Sequence, residues 1–213
     1  MNDNRKTNSR RSTRLKNYDY SQPGYYFVTI CTYEKKWLFG EIIDDQMHLN
    51  SVGDIVQTVW NTLPKRFPHL ALDEYIIMPN HMHGIIVIEA TQPYNSTSTI
   101  PTDVPERFKR YMNSTWGTFY PTADSAPPHP LGRDKSGPYI QRTPALGEII
   151  RTFKSASTHQ IRQTLMPNFS WQNSYYDNII RRDNDLDHIH QYITTNPAGW
   201  SNDSLNIKEG TAS

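Results

Sequence analysis

Tyr75-Ile-Ile-Met-Pro-Asn-His-Met-His-Gly-Ile-Ile-Val-Ile88 is the stretch that decides how this chain is read. Two apolar, β-branched runs enclose Pro79-Asn80 and His81-Met82-His83. Pro79 cannot donate to a β-ladder, so one strand ends there and a second starts at His81. Side chains alternate along a strand, which puts His81 and His83 on one face and Met82 on the other, toward a core. Two imidazoles on one face of a rigid element can hold one metal ion. In a chain with eight histidines His-x-His arises easily by chance; its place inside an apolar strand pair is what gives it weight.

Outward from this centre the elements fall into a pattern. Upstream, Tyr25-Tyr-Phe-Val-Thr-Ile-Cys-Thr-Tyr33 is rich in aromatic and β-branched residues and predicts a central strand. Trp37–Ile42 and Met47–Leu49 predict a short hairpin. Ser51 is placed to cap a helix whose apolar stripe is Val52, Ile55, Val56, Val59, Trp60 and Leu63, ended by Pro64 and Pro68. Leu72–Met78 and His81–Glu89 are the next two strands. Downstream, Thr143 and Pro144 suit the start of a helix with Leu146, Ile149, Ile150, Phe153 and Ile161 on its apolar face. Trp171–Ile180 predicts a strand or extended segment. Asp183 or Asn184 is placed to cap a last helix with Leu186, Ile189 and Ile193 inward, stopped by Pro197. The sum, β-α-β-β-α-β plus a final helix, is a ferredoxin-like α+β fold: an antiparallel sheet, helices on one face and an extra C-terminal helix. That arrangement places the Leu72–Met78 and His81–Glu89 pair centrally in the sheet.

Length and composition bound the rest. The 213 residues suffice for one domain with extensions. A hydrophobic content of 36% and a mean hydropathy of −0.73 leave room for polar segments. Residues 1–22 form a basic arm expected to be flexible, 23–200 the domain, about 91–143 a loop insertion rich in Ser, Thr and Pro, and 201–213 a polar tail. The net charge of +1 points to no partner, but within 1–17 six basic residues, Arg5, Lys6, Arg10, Arg11, Arg14 and Lys16, face one acid, Asp3. Such an arm is either solvated or ordered on phosphates. Arg107, Lys109 and Arg110 with Phe108 and Tyr111 make a smaller basic–aromatic patch, open to the same two readings. The single cysteine, Cys31, excludes an intrachain disulfide and a cysteine-based zinc site, which fits a cytosolic setting. No run approaches the ~18 apolar residues of a membrane span.

A metal held by two histidines needs further ligands. On the last helix Tyr192 and Asn196 are four apart and share a face, with His188 one turn earlier. A second His-x-His, His188–His190, is set aside: on a helix its members point about 200° apart.

Four blocks occur in order: Met78-Pro-Asn-His-Met-His83, Leu146-Gly-Glu-Ile-Ile-Arg-Thr-Phe-Lys-Ser-Ala156, Trp171-Gln with Tyr175-Tyr-Asp-Asn-Ile-Ile-Arg181, and Tyr192-Ile-Thr-Thr-Asn-Pro197. In these the chain resembles the REP-associated tyrosine transposases, IS200/IS605-like Y1 members of the HUH superfamily, over roughly 20–90 and 144–200. The resemblance implies metal-dependent nicking and joining of single-stranded DNA. It implies His81, His83 and Asn196 as ligands of Mg²⁺ or Mn²⁺ and Tyr192 as the nucleophile that forms a 5′-phosphotyrosine. Tyr175 and Tyr176 remain alternative nucleophiles. It further implies single-stranded or hairpin DNA of REP type as partner, a monomer or homodimer, and a bacterial, cytoplasmic, nucleoid-associated protein. The basic arm, Arg151 and Lys154 are the candidate phosphate contacts. Two rivals stand beside this: a non-catalytic hairpin-binding derivative of a transposase, and a zinc hydrolase built on His81 and His83.

Overall fold

The aromatic run near the N-terminus forms strand β1, Gly24–Cys31. In the computed structural model, which describes residues 14–15, 17–89, 104–108, 110 and 143–207, β1 lies second from one edge of a four-stranded antiparallel sheet. Strands β4 (Leu70–Met78), β5 (His81–Ile88) and β6 (Tyr176–Ile180) complete it, in the order β4-β5-β1-β6. A separate hairpin, β2 (Gly40–Ile43) and β3 (Gln46–Leu49), precedes the first helix. The strand order and the helices that link the strands make a ferredoxin-like α+β fold. One expectation is corrected. The His strand β5 is central, but its hairpin partner β4 is an edge, because β1 pairs with β5 on one side and β6 on the other.

Helices α1 (Ser51–Asn61) and α3 (Leu146–Thr164) cover one face. The short α2 (Leu63–Arg66) carries Pro64 in its first turn, where a missing N–H costs nothing. The main core lies under α1 and α3: Tyr26, Val28 and Ile30 of β1 and Met82, Ile86 and Ile88 of β5 meet Val56, Trp60, Ile149, Ile150 and Phe153. Gly84 belongs to this face. A Cβ there would lie 2.6 Å from the Trp60 ring, so glycine is what lets Trp60 rest on the middle of β5.

On the opposite face α4 (Asp183–Thr195) buries Leu186 and Ile193 against Ile85, Val87 and Tyr25. The segment around Phe108 closes the far end. Phe108 is buried with its ring 5.5 Å from that of Tyr25, and Arg107 donates to Asp187 on α4 at 3.0 Å. Arg107 and Phe108 of the basic–aromatic patch thus form a brace; Lys109 and Tyr111 lie outside the described residues.

The helix starts differ from the sequence reading. Asn50, not Ser51, caps α1, its side chain accepting from Val52 N and Gly53 N. α3 begins at Leu146 behind Ala145, so Thr143 and Pro144 stand outside it. Asp183 is the first residue of α4 behind Arg182, and neither Asp183 nor Asn184 caps it. β6 starts only at Tyr176; Trp171 makes an isolated bridge to Thr32. Residues 201–207, the described part of the expected polar tail, fold back toward the turn before β5, where Leu205 O accepts from Asn80, behind Trp200, which is buried beside Trp37 with ring centroids 5.4 Å apart.

Candidate metal and nucleophile site

The turn between β4 and β5 builds the site. Asn80 is fully buried there. Its Nδ2 donates to Lys35 O at 2.9 Å and to Leu205 O at 2.8 Å, which fixes the amide so that Oδ1 faces His81 Nδ1 at 2.8 Å. Oδ1 can only accept, so His81 carries its proton on Nδ1 and presents the Nε2 lone pair outward. His83, two residues on, has its Nδ1 2.8 Å from Thr29 Oγ1 on β1. Its Nε2 lies 3.1 Å from the Tyr192 hydroxyl and 3.0 Å from His81 Nε2.

Burial is the main force on both rings. It pushes His81 and His83 down to about 3, aided at His81 by the nearby Lys35 charge and at His83 by His81 itself. Both are neutral imidazoles at physiological pH, the form that binds metal. With both rings in the ligand tautomer, the two buried Nε2 atoms 3.0 Å apart would both be acceptors, a poor pair by themselves. That separation suits two ligands on one ion, since metal–imidazole bonds of about 2.1 Å at a right angle span about 3 Å.

The acid of the cluster comes from beyond α4. The ligand atoms of His81, His83 and Asp203 lie within 4.8 Å of one another, a group that could hold a metal ion. Asp203 follows the single turn Trp200–Asn202. Asn196, the C-terminal cap residue of α4, is buried, and its Oδ1 has no hydrogen-bond partner. Such an orphaned buried acceptor is costly unless something electropositive meets it. Tyr192, Asn196 and Asp203 line one pocket of about 400 Å³. Burial raises the Tyr192 phenol above its ordinary value, the Asp203 charge adds to this, and a hydrogen bond from Asn196 opposes it. The Phe27 ring stacks on His83 at 5.4 Å and meets Tyr192 edge-on at 6.2 Å, walling the site on the β1 side.

His81, His83, Tyr192 and Asn196 are therefore gathered at one end of the sheet. The other tyrosines are not part of the cluster. Tyr175 packs against the α1/α3 core, and Arg14 donates to its hydroxyl and lies over its ring. Tyr176 is half exposed on β6, opposite Thr29 in the register. Arg151 and Lys154 stand on α3, across the sheet from the histidines. Lys154 Nζ donates to Gln172 O at 2.7 Å and Ser174 O at 2.8 Å, and burial lowers it to about 8. With His159 and Arg162 these two side chains line a groove of about 590 Å³. Of the basic arm, Arg14 is described; Arg5, Lys6, Arg10, Arg11 and Lys16 lie outside the described residues. His190 turns from His188 to hydrogen-bond Asp73 on β4 at 3.0 Å, while His188 is exposed.

Sequence reasoning missed Asn80, Thr29 and Asp203. Asn80 was in plain view, since a buried asparagine beside a histidine is a ready orienting partner. Asp203 carries no local signal: it stands alone in a polar stretch, and only the fold-back of 200–207 brings it to β5.

No protein-family model matches the chain. An uncharacterized protein of Haemophilus influenzae (strain Rd) is 34% identical over 198 residues, covering 93% of each chain. The two chains belong to one family. Among solved structures, one of a REP-associated tyrosine transposase bound to a REP hairpin superposes with a TM-score of 0.48 at 16% identity, over 88% of this chain and 73% of that one. At 34% identity over 93% of each chain, this protein and its Haemophilus influenzae relative share a fold. Among the described residues no helix is long and apolar enough to cross a membrane.

Proposed function

We propose that the chain is a metal-dependent enzyme that nicks and joins single-stranded DNA through Tyr192, acting on hairpins of REP-type repeats. The observation that carries this is the Tyr192 hydroxyl 3.1 Å from Nε2 of His83, whose partner nitrogen on His81 is 3.0 Å further on. A nucleophile bordering a set of convergent metal ligands is what phosphoryl transfer needs.

His81 Nε2, His83 Nε2, an Asp203 carboxylate oxygen and the orphaned Asn196 Oδ1 would hold the ion. A divalent cation there supplies positive charge to a phosphoryl oxygen in the in-line displacement. The mixed nitrogen and oxygen donors suit Mn²⁺ somewhat better than Mg²⁺, which prefers oxygen alone. Asn80 keeps His81 in the ligand tautomer, and Thr29, accepting from His83 Nδ1, would do the same for His83. Asn196 steadies the Tyr192 oxygen as its proton leaves. The tyrosine oxygen bonds to phosphorus, the bond from phosphorus to the 3′-oxygen breaks, and that oxygen takes up a proton to become a free 3′-hydroxyl. The aryl phosphodiester keeps the linkage activated, so a 3′-hydroxyl can later attack it, reform the strand and release Tyr192 without ATP. Arg151 on the α3 groove and the basic arm are the phosphate contacts in this reading. Lys154, whose ammonium holds the 172–174 backbone, contributes less.

Labelled single-stranded hairpin DNA incubated with the protein and Mn²⁺, then run on a denaturing gel, tests the reading. A protein–DNA adduct that chelation prevents is the expected result. Tight binding without an adduct would instead identify a non-catalytic hairpin binder, and metal-dependent ester or amide hydrolysis without either would identify a hydrolase.

A further inference from the structure

One row of side chains crosses the sheet through the site. Ile76 on β4, His83 on β5, Thr29 on β1 and Tyr176 on β6 are successive register partners. Directly paired residues point to the same face, so Tyr176 stands on the histidine side, two strand spacings or about 10 Å from His83. Thr29 between them is short, and its hydroxyl is turned to His83 Nδ1. The cover over this face runs out along β6. Ile180 is buried with Leu186 and Ile193, whereas Asn178 and Tyr176, the next two residues on that face, are exposed. Tyr176 is 48% exposed, comparable to Tyr192 at 44%.

An exposed aromatic ring on a sheet edge, level with a nucleophile and separated from it by a shallow strip, is a stacking platform. We propose that Tyr176 stacks an unpaired nucleobase of the single strand next to the scissile phosphate, with Asn178 beside it offering an amide to a base edge. The role rests on the reading of the site as a DNA-nicking centre and adds a residue that positions the substrate strand. It accounts for an aromatic pair divided in its duties: Tyr175 faces the core under Arg14, and Tyr176 faces the strand. Stacking on an aromatic ring tolerates any base, so the platform orients the strand and leaves sequence choice to other contacts.

The test uses the full chain carrying Tyr192→Phe, so that binding is observed without turnover. Hairpin oligonucleotides carry 2-aminopurine at single positions flanking the nick. The Tyr192→Phe protein is expected to quench one of these positions. Adding Tyr176→Ala should remove the quench and weaken binding of the single-stranded flank about ten-fold, while Tyr176→Phe or Tyr176→Trp preserves both. In chains with Tyr192 intact, Tyr176→Ala should raise KM for adduct formation and leave kcat near that of the parent. Quenching and affinity unchanged in Tyr176→Ala would overturn the platform, as would loss of the adduct in Tyr176→Phe, which would make Tyr176 a nucleophile. No adduct from the parent chain, with the quench present and sensitive to Tyr176→Ala, would overturn the nicking reading and leave the platform standing.

Discussion

Asn80 sets the chemistry of His81. With both Nδ2 hydrogens committed to the carbonyls of Lys35 and Leu205, its Oδ1 can only accept from His81 Nδ1. The same side chain ties three segments together: the turn into β5, the loop after β1 and the C-terminal stretch that bears Asp203. Replacing it with alanine strands one buried ring nitrogen and two part-buried carbonyls. Asn80→Ala is expected to cost about 2–4 kcal/mol of stability and to weaken Mn²⁺ binding about 10–100-fold. Urea unfolding and calorimetric titration with Mn²⁺ measure the two effects. A variant that keeps parent metal affinity would show that the ring needs no such support.

Tyr192 carries the covalent step in this reading. Because its side chain is half exposed and its hydroxyl contributes one hydrogen bond to His83, Tyr192→Phe should change stability by no more than about 1 kcal/mol. Hairpin binding should persist and the adduct on a denaturing gel should vanish. An adduct that survives Tyr192→Phe and is lost in Tyr175→Phe would move the nucleophile to the other face of the sheet.

The strands and the His face were legible because both depend on local alternation. Met82 inward and His81 with His83 outward follow from period two along β5, and the α1 stripe from period 3.6. The edge position of β4 was not legible in that way, since it depends on which long-range pairing β1 makes. Helix caps lie one or two residues from the sequence reading because several residues compete at each start, and the backbone geometry chooses among them. In the site, Tyr192 and Asn196 could be joined by helical spacing. Asp203 reaches the histidines only because Trp200 packs beside Trp37 and His81, a tertiary event with no periodic trace.

Asp203 and Asn196 make separable contributions. The carboxylate brings a negative charge to two neutral imidazoles, and the amide brings only a dipole through an oxygen that lacks a partner. Asp203→Ala is therefore expected to lower Mn²⁺ affinity more than Asn196→Ala, each by at least about ten-fold. Without metal, Asn196→Ala should change stability by no more than about 1 kcal/mol, since losing the hydrogen bond to Tyr192 is offset by removing a buried acceptor without a partner. Titration of each variant with Mn²⁺, beside urea unfolding in chelator, gives both numbers. Unchanged affinity in Asp203→Ala would remove the carboxylate from the ligand set.

The depressed histidines make the metal-free protein acid-sensitive in a defined window. In the unfolded chain each ring takes up a proton as pH falls through the ordinary value of 6.5, while in the fold neither does until about 3. Between those limits the unfolded state binds more protons, so stability rises with pH there. The contribution is complete above pH 6.5 and is lost progressively as pH falls toward 3. Urea unfolding in chelator at pH 7.5 and pH 4.5 should show a loss for the parent chain that is distinctly smaller in the double variant His81→Gln/His83→Gln. That variant cannot take up the two protons, so any acid loss it retains comes from groups elsewhere. An equal loss in both chains would mean that the rings take up protons in the fold as readily as in the unfolded chain, so that burial does not hold them neutral below their ordinary value.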